Sequence, residues 1–177
     1  MAVKNREYKT GEGKAGLKNI PFQKRLEPHL DELKWLYMEL YDNQQMFEGL
    51  CSGMEEFCRA RRASLKRLDT KREKNPGWFR KSSMLGMMMY TDQFAGTLTG
   101  VKEKLDYIES CNVNYLHLMP LLDTPRGRSD GGYAVSDFRK VRDGLGTMDD
   151  LRALADECHK RGISLCLDFV MNHTSEE

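Results

Sequence analysis

The chain has 177 residues, 40% of them apolar and 31% charged, with 28 basic against 27 acidic side chains and a formal net charge of +1. That length holds one ordinary domain, or a small one joined to part of a larger one. The charge balance gives no global reason to expect nucleic acid or an anionic membrane as partner. No run of about 18 apolar residues exists, so no membrane-spanning helix is expected.

Residues 1–24 are polar and rich in Gly and Lys, an expected N-terminal arm without the apolar stretch of a secretory leader. From Leu26 the pattern turns helical, with Leu26, Leu30, Leu33, Leu36, Tyr37 and Leu40 at three- and four-residue spacing. A second amphipathic run carries Met46, Phe47, Leu50, Met54, Phe57 and Cys58 on one face. The break between them is short, which predicts antiparallel neighbours. A basic run over 59–74 leads to the turn signal Asn75-Pro76-Gly77. Asp69 and Glu73 interrupt it and aromatic residues do not interleave it, so it reads as a solvated helix face rather than a nucleic-acid patch.

After Trp78 the texture changes. Met84–Tyr90 reads as a strand, and Leu98, Val101, Leu105 and Ile108 mark a helix face with Thr97 as N-cap. Residues 115–119 form a second strand, closed by Pro120, and residues 120–146 show no clear periodicity. A connection that long is usually functional or disordered. Thr147 and Asp150 then open a helix as a capping box, with Met148, Leu151, Leu154, Ala155 and Cys158 on its apolar face and Gly162 at its end.

In the last strand, Ile163, Leu165, Leu167 and Phe169 alternate with Ser164, Cys166, Asp168 and Val170. The first set is large and apolar, suited to pack on helices; the second is mostly small and carries a carboxylate. The βαβαβ order fits half of a doubly wound sheet or the first three strands of a (β/α)8 barrel. Residues 91–96 lack a G-x-G-x-x-G phosphate turn, which weakens a dinucleotide reading, and the small polar face suits a barrel.

Ligands of parallel α/β folds meet the chain just past the carboxyl ends of strands. Asp168, Asn172 and His173 gather there. Within the long connection, Asp130-Gly131-Gly132-Tyr133 sets a carboxylate and an aromatic ring on either side of a tight turn. A carboxylate accepts hydroxyl hydrogen bonds and a ring stacks on a pyranose face. On local grounds alone the segment reads as an ordinary Gly-Gly turn with a surface tyrosine. His29, His117 and His159 read as structural, and the absence of HxH and HExxH spacing argues against a zinc site. Five cysteines, an odd number without CxxC spacing, fit free thiols in a reducing, cytoplasmic setting.

The segment D-F-V-M-N-H (168–173) resembles the first conserved region of the α-amylase superfamily, glycoside hydrolase family 13. D-G-G-Y-A-V-S-D-F (130–138) and L-G-T-M-D-D-L (145–151) are similar to its amylosucrase branch, as are residues 90–96 and 115–121. The helices before Trp78 resemble that branch's helical N-terminal domain more loosely. The resemblance implies a helical segment over 25–80, then an α/β region over 81–177 that supplies the first three βα units of an incomplete (β/α)8 TIM barrel.

It also implies a glucose pocket: Asp130 at its floor, Tyr133 as the platform under the sugar, and His173 hydrogen-bonding that sugar. Asp168 and Asn172 would support it, Asn172 at a position that binds calcium in many amylases. No cofactor or metal is expected, and the expected partner is sucrose or an α-glucan. Family members are retaining enzymes with a carboxylate nucleophile and a carboxylic acid/base. In the family these groups and a third Asp stand on later strands, so this chain is expected to be inactive alone. The alternative is a non-catalytic remnant acting as an interaction or weak sugar-binding module.

Overall fold

The computed structural model describes residues 21–176, and the chain divides into two units between Trp78 and Phe79. Most of the expected arm therefore lies outside the described residues, and its last three residues are helical.

The first unit is built from α1 (Phe22–Tyr41), α2 (Gln44–Ala60) and α3 (Ala63–Glu73). Asp42 ends α1 in the left-handed conformation, its N–H on the Met38 carbonyl. Asn43 caps α2, its Oδ1 accepting from the Met46 N–H at 3.0 Å. Near this turn the rings of Tyr37 and Phe47 stand 5.5 Å apart. Towards the other ends Gln23 donates to Glu55 at 2.7 Å, so α1 and α2 run antiparallel. The basic run crosses from the end of α2 into α3, and Arg61 between them forks onto Asp69 through Nε and Nη2 at 2.6 and 2.9 Å.

The second unit has three parallel strands in the order β1 (Gly86–Met89), β2 (Tyr115–Leu118) and β5 (Ser164–Leu167). Their register sets Met88 beside His117 and His117 beside Cys166. Because side chains alternate across a pleat, Gly86, Met88, Tyr115, His117, Ser164 and Cys166 share one face. Met87, Met89, Leu116, Leu118 and Leu165 share the other and join the core. Against that core pack α5 (Leu98–Glu103), α6 (Leu105–Ser110) and α7 (Met148–Lys160) through Leu98, Val101, Leu105, Ile108, Leu151 and Leu154. The polar face is open: Met88 is 66% exposed.

Several sequence expectations need correction. The strand expected over 163–169 ends at Leu167, and Phe169 is 62% exposed while Val170 is buried. Beyond Leu167 the chain leaves the pleat, so the alternation that placed Phe169 with the helices no longer applies. Phe169 instead meets Phe138, their centroids 5.3 Å apart. The first strand starts two residues later than Met84 and ends before Tyr90. Thr91–Ala95, expected as a plain connection, is a short helix, α4. The long segment 120–146 is not structureless: β3 (Leu122–Asp123) and β4 (Asp137–Val141) pair antiparallel across it. Two residues against five, joined through a bulge, leave no readable period.

The local signals are present as hydrogen bonds. Thr97 Oγ1 accepts from Gly100 N at 3.0 Å. Thr147 and Asp150 form the reciprocal capping box of α7. Gly162, with φ of 74°, follows α7 where the chain reverses into β5.

Candidate functional site

The site forms where the open face of the sheet meets the carboxyl ends of its strands. His117 projects from β2 on that face, and Asp168 is the first residue beyond β5. His117 Nε2 lies 2.8 Å from Asp168 Oδ1. A carboxylate only accepts, so Nε2 carries the proton. The other oxygen, Oδ2, accepts the Tyr133 hydroxyl at 2.9 Å. Both oxygens of Asp168 are thus engaged, and its side chain is 22% exposed. The hydrogen bond to Asp168 holds the Tyr133 phenol above the ordinary tyrosine value, with burial and the neighbouring charge acting in the same direction.

Tyr133 arrives there because of the turn before it. Asp130, Gly131 and Gly132 have φ of 48°, 68° and 98° in succession. The left-handed region admits Asp and favours Gly. At Gly132 space decides as well: a Cβ would stand 2.8 Å from Pro120 Cβ, just past the end of β2. The turn therefore lies directly on the strand end and delivers Tyr133 over the sheet. A Cβ at Gly131 would stand 3.9 Å from the Tyr90 hydroxyl, so Tyr90, the residue after β1, reaches the same turn. Beyond β5, the Ser175 N–H donates to the Val135 carbonyl at 2.9 Å and ties the two loops together.

The structure joins Tyr133 to Asp168, and the Asn172 amide donates to His173 Nδ1 at 2.9 Å. That bond leaves the exposed His173 free to donate through Nε2. Among the described residues no side-chain hydrogen bond links Asp130 to the other four, and Asp130 is exposed at the turn. The Asn172 bond uses its Nδ2, and among the described residues no group of three or more His, Cys, Asp or Glu is placed to hold a metal ion.

With this geometry in place, comparison with known families is decisive. The family profile described as alpha amylase, catalytic domain, matches residues 60–177. The chain belongs to the α-amylase family. An oligo-1,6-glucosidase of Bacillus sp. (strain F5) is 44% identical over 82 residues, 46% of this chain and 16% of that protein. The trehalose synthase/amylase of Mycolicibacterium smegmatis is 49% identical over 82 residues, 46% of this chain and 14% of its own length. The crystal structure of Bacillus licheniformis trehalose-6-phosphate hydrolase is 33% identical, covering 55% of this chain and 18% of that one, with a TM-score of 0.48. The chain thus spans about one-sixth of the length of these relatives.

Two residues of the site escape a reading by motif. His117 looks structural in mid-strand, yet it shares a face with Cys166 and reaches Asp168. Tyr90 had a usable signal, since it stands immediately after a strand, where ligands of such folds are met.

Proposed function

We propose that the second unit supplies the glucosyl-binding part of an α-glucoside-processing enzyme, amylosucrase-like in transferring glucose from sucrose to an α-glucan. The observation that carries this reading is the Tyr133–Asp168–His117 network at the strand ends of an α-amylase-family chain. In it Tyr133 is the platform under one glucosyl unit, Asp130 and His173 bind that unit's hydroxyls, and Asp168 and Asn172 support them. A glucosyl unit is common to sucrose, trehalose and α-1,6-linked oligosaccharides, so the contacts do not depend on the second sugar. The five free cysteines support a reducing, cytoplasmic setting.

Residues 1–177 alone are proposed not to turn sucrose over. Retaining chemistry needs two carboxyl groups about 5 Å apart across the scissile bond, one of them free to attack. Asp168 has both oxygens committed to protein donors, which suits support rather than attack. The test is to incubate the purified chain with sucrose and measure free fructose and glucose. No release above a mock purification is expected. Turnover abolished by Asp168→Asn would mean that this carboxylate does the chemistry.

The second reading, a non-catalytic interaction module, is favoured by one observation: Leu40 and Phe57 of the helical unit are 76% and 81% exposed. Binding of methyl α-D-glucopyranoside that shifts Tyr133 resonances supports the sugar site. A chain indifferent to every α-glucoside leaves the interaction reading.

A further inference from the structure

We propose that His117 is a positioning residue, fixing the Tyr133 ring through the Asp168 carboxylate. The functional consequence rests on the sugar-binding reading above; the physical relay rests on geometry alone.

Rigidity is unequal along the relay. His117 lies in the central strand, in register with Met88 on one side and Cys166 on the other. Its backbone is therefore held from both sides, which fixes the point from which the imidazole reaches Asp168. Asp168 lies one residue past β5, beyond the last paired position, Leu167. A carboxylate there can present its oxygens in several directions about χ1 and χ2. The His117 donor, 2.8 Å from Oδ1, selects one of them. That choice fixes Oδ2, which then receives the Tyr133 hydroxyl at 2.9 Å.

Tyr133 itself stands in a loop, where its backbone is set by the glycine turn against Pro120 but its ring is half-exposed. For a ring so placed, an anchored hydroxyl selects one χ1 rotamer among those the backbone allows. The anchor is charge-assisted, the stronger kind of hydrogen bond. It also accounts for the raised titration of the phenol. Order passes from the strand, through Asp168, to the loop ring. A platform held in one orientation loses less entropy on stacking with a sugar than one that must be selected from several.

The experiment compares the wild-type chain with His117→Leu and His117→Gln by NMR. Gln carries an N–H at about the reach of Nε2 and should restore the relay, whereas Leu cannot. In the wild type, imidazole 15N shifts should show the proton on Nε2, and three-bond couplings should report one χ1 rotamer for Tyr133. His117→Leu should average that rotamer and weaken binding of methyl α-D-glucopyranoside about threefold to tenfold, the effect of one hydrogen bond. His117→Gln should keep a single rotamer and near wild-type affinity.

A single Tyr133 rotamer in folded His117→Leu overturns the proposal. Should that variant not fold, the wild-type tautomer and His117→Gln decide: an unprotonated Nε2, or rotamer averaging despite the Gln amide, overturns it. Failure of the wild type to bind the glucoside sinks the sugar reading, while the rotamer result still judges the relay.

Discussion

The two units spend the same kind of residue in opposite ways. In the second, the apolar side chains of β1, β2, α5, α6 and α7 meet in one cluster, and Leu98, Leu105, Leu116, Leu118 and Leu154 are fully buried. In the first, two helices with clear apolar stripes bury Phe47 alone among the described residues. Leu36, Leu40, Met46 and Phe57 of those stripes face solvent. Between α1, α2 and α3 a cavity of about 1010 Å³ remains, lined by Phe22, Leu26, Phe57 and Leu65 and by the Arg61–Asp69 pair. It reflects open helix packing within this unit. Amphipathic periodicity states that a face is available for burial; it does not state that anything covers it.

The largest effect should come from cutting into the packed unit. Leu118→Ala removes a fully buried side chain from the central strand and should cost about 2–5 kcal/mol by urea unfolding. A loss below about 1 kcal/mol would show that this unit is as loosely packed as the helices, and the contrast would collapse.

Gly100→Ala comes next. In an open helix this change gains about 1 kcal/mol of propensity. Here a Cβ would run into the Ala95 carbonyl oxygen, a backbone atom with little freedom to retreat. Overpacking of this kind costs about 1–3 kcal/mol, so a net loss of up to about 2 kcal/mol is expected. Gly49 and Gly53 of α2 meet nothing within 4 Å, and Ala at either should raise helicity instead. Circular dichroism and unfolding midpoints of the three variants test the contrast directly.

Where the sequence was readable and where it was not follows the same division between local and distant causes. The α7 capping box, the Thr97 cap and the alternation of β5 as far as Leu167 depend on neighbours within a few residues, and they are legible from residue types. Strand ends are not, because Leu167 is the last paired residue only through its partner Leu118, 49 positions away. The ribbon of β3 and β4 is hidden for the same reason, with Leu122 paired to Val141 through a bulge. In the site, the Asp-Gly-Gly-Tyr turn announces itself by its glycines. His117 does not, since only the register of β2 with β5 brings it near Asp168.

Helix caps give a third, smaller effect that separates the units by its form. Thr147→Ala should cost about 1 kcal/mol of global stability, because α7 is part of the core. Its loss should also depend on pH. The Thr147 hydroxyl and N–H donate to Asp150 and hold its carboxyl below the ordinary 3.8. A depressed carboxyl contributes stability above its unfolded value and loses it as pH falls through the folded one. The gap between wild type and Thr147→Ala should therefore narrow below about pH 4. Asn43→Ala removes the cap of α2, whose only buried residue is Phe47. That loss should appear as lower helicity, without a matching shift in the main unfolding transition.

The smallest effect expected is at Leu40, 76% exposed on α1. Exposed positions away from caps and cores change stability by less than about 0.5 kcal/mol, and Ala is at least as good a helix former as Leu. Leu40→Ala should leave both the unfolding midpoint and the helicity where they are. The stripe to which Leu40 belongs makes this a sharp test. Leu36 and Tyr41 flank it and are also exposed, and an apolar patch of that kind is a site that association would cover. If the chain self-associates through the stripe, Leu40→Ala would lower the midpoint by about 1 kcal/mol or more. The loss would grow with protein concentration. A concentration-independent null result keeps the two units as different as their burial makes them.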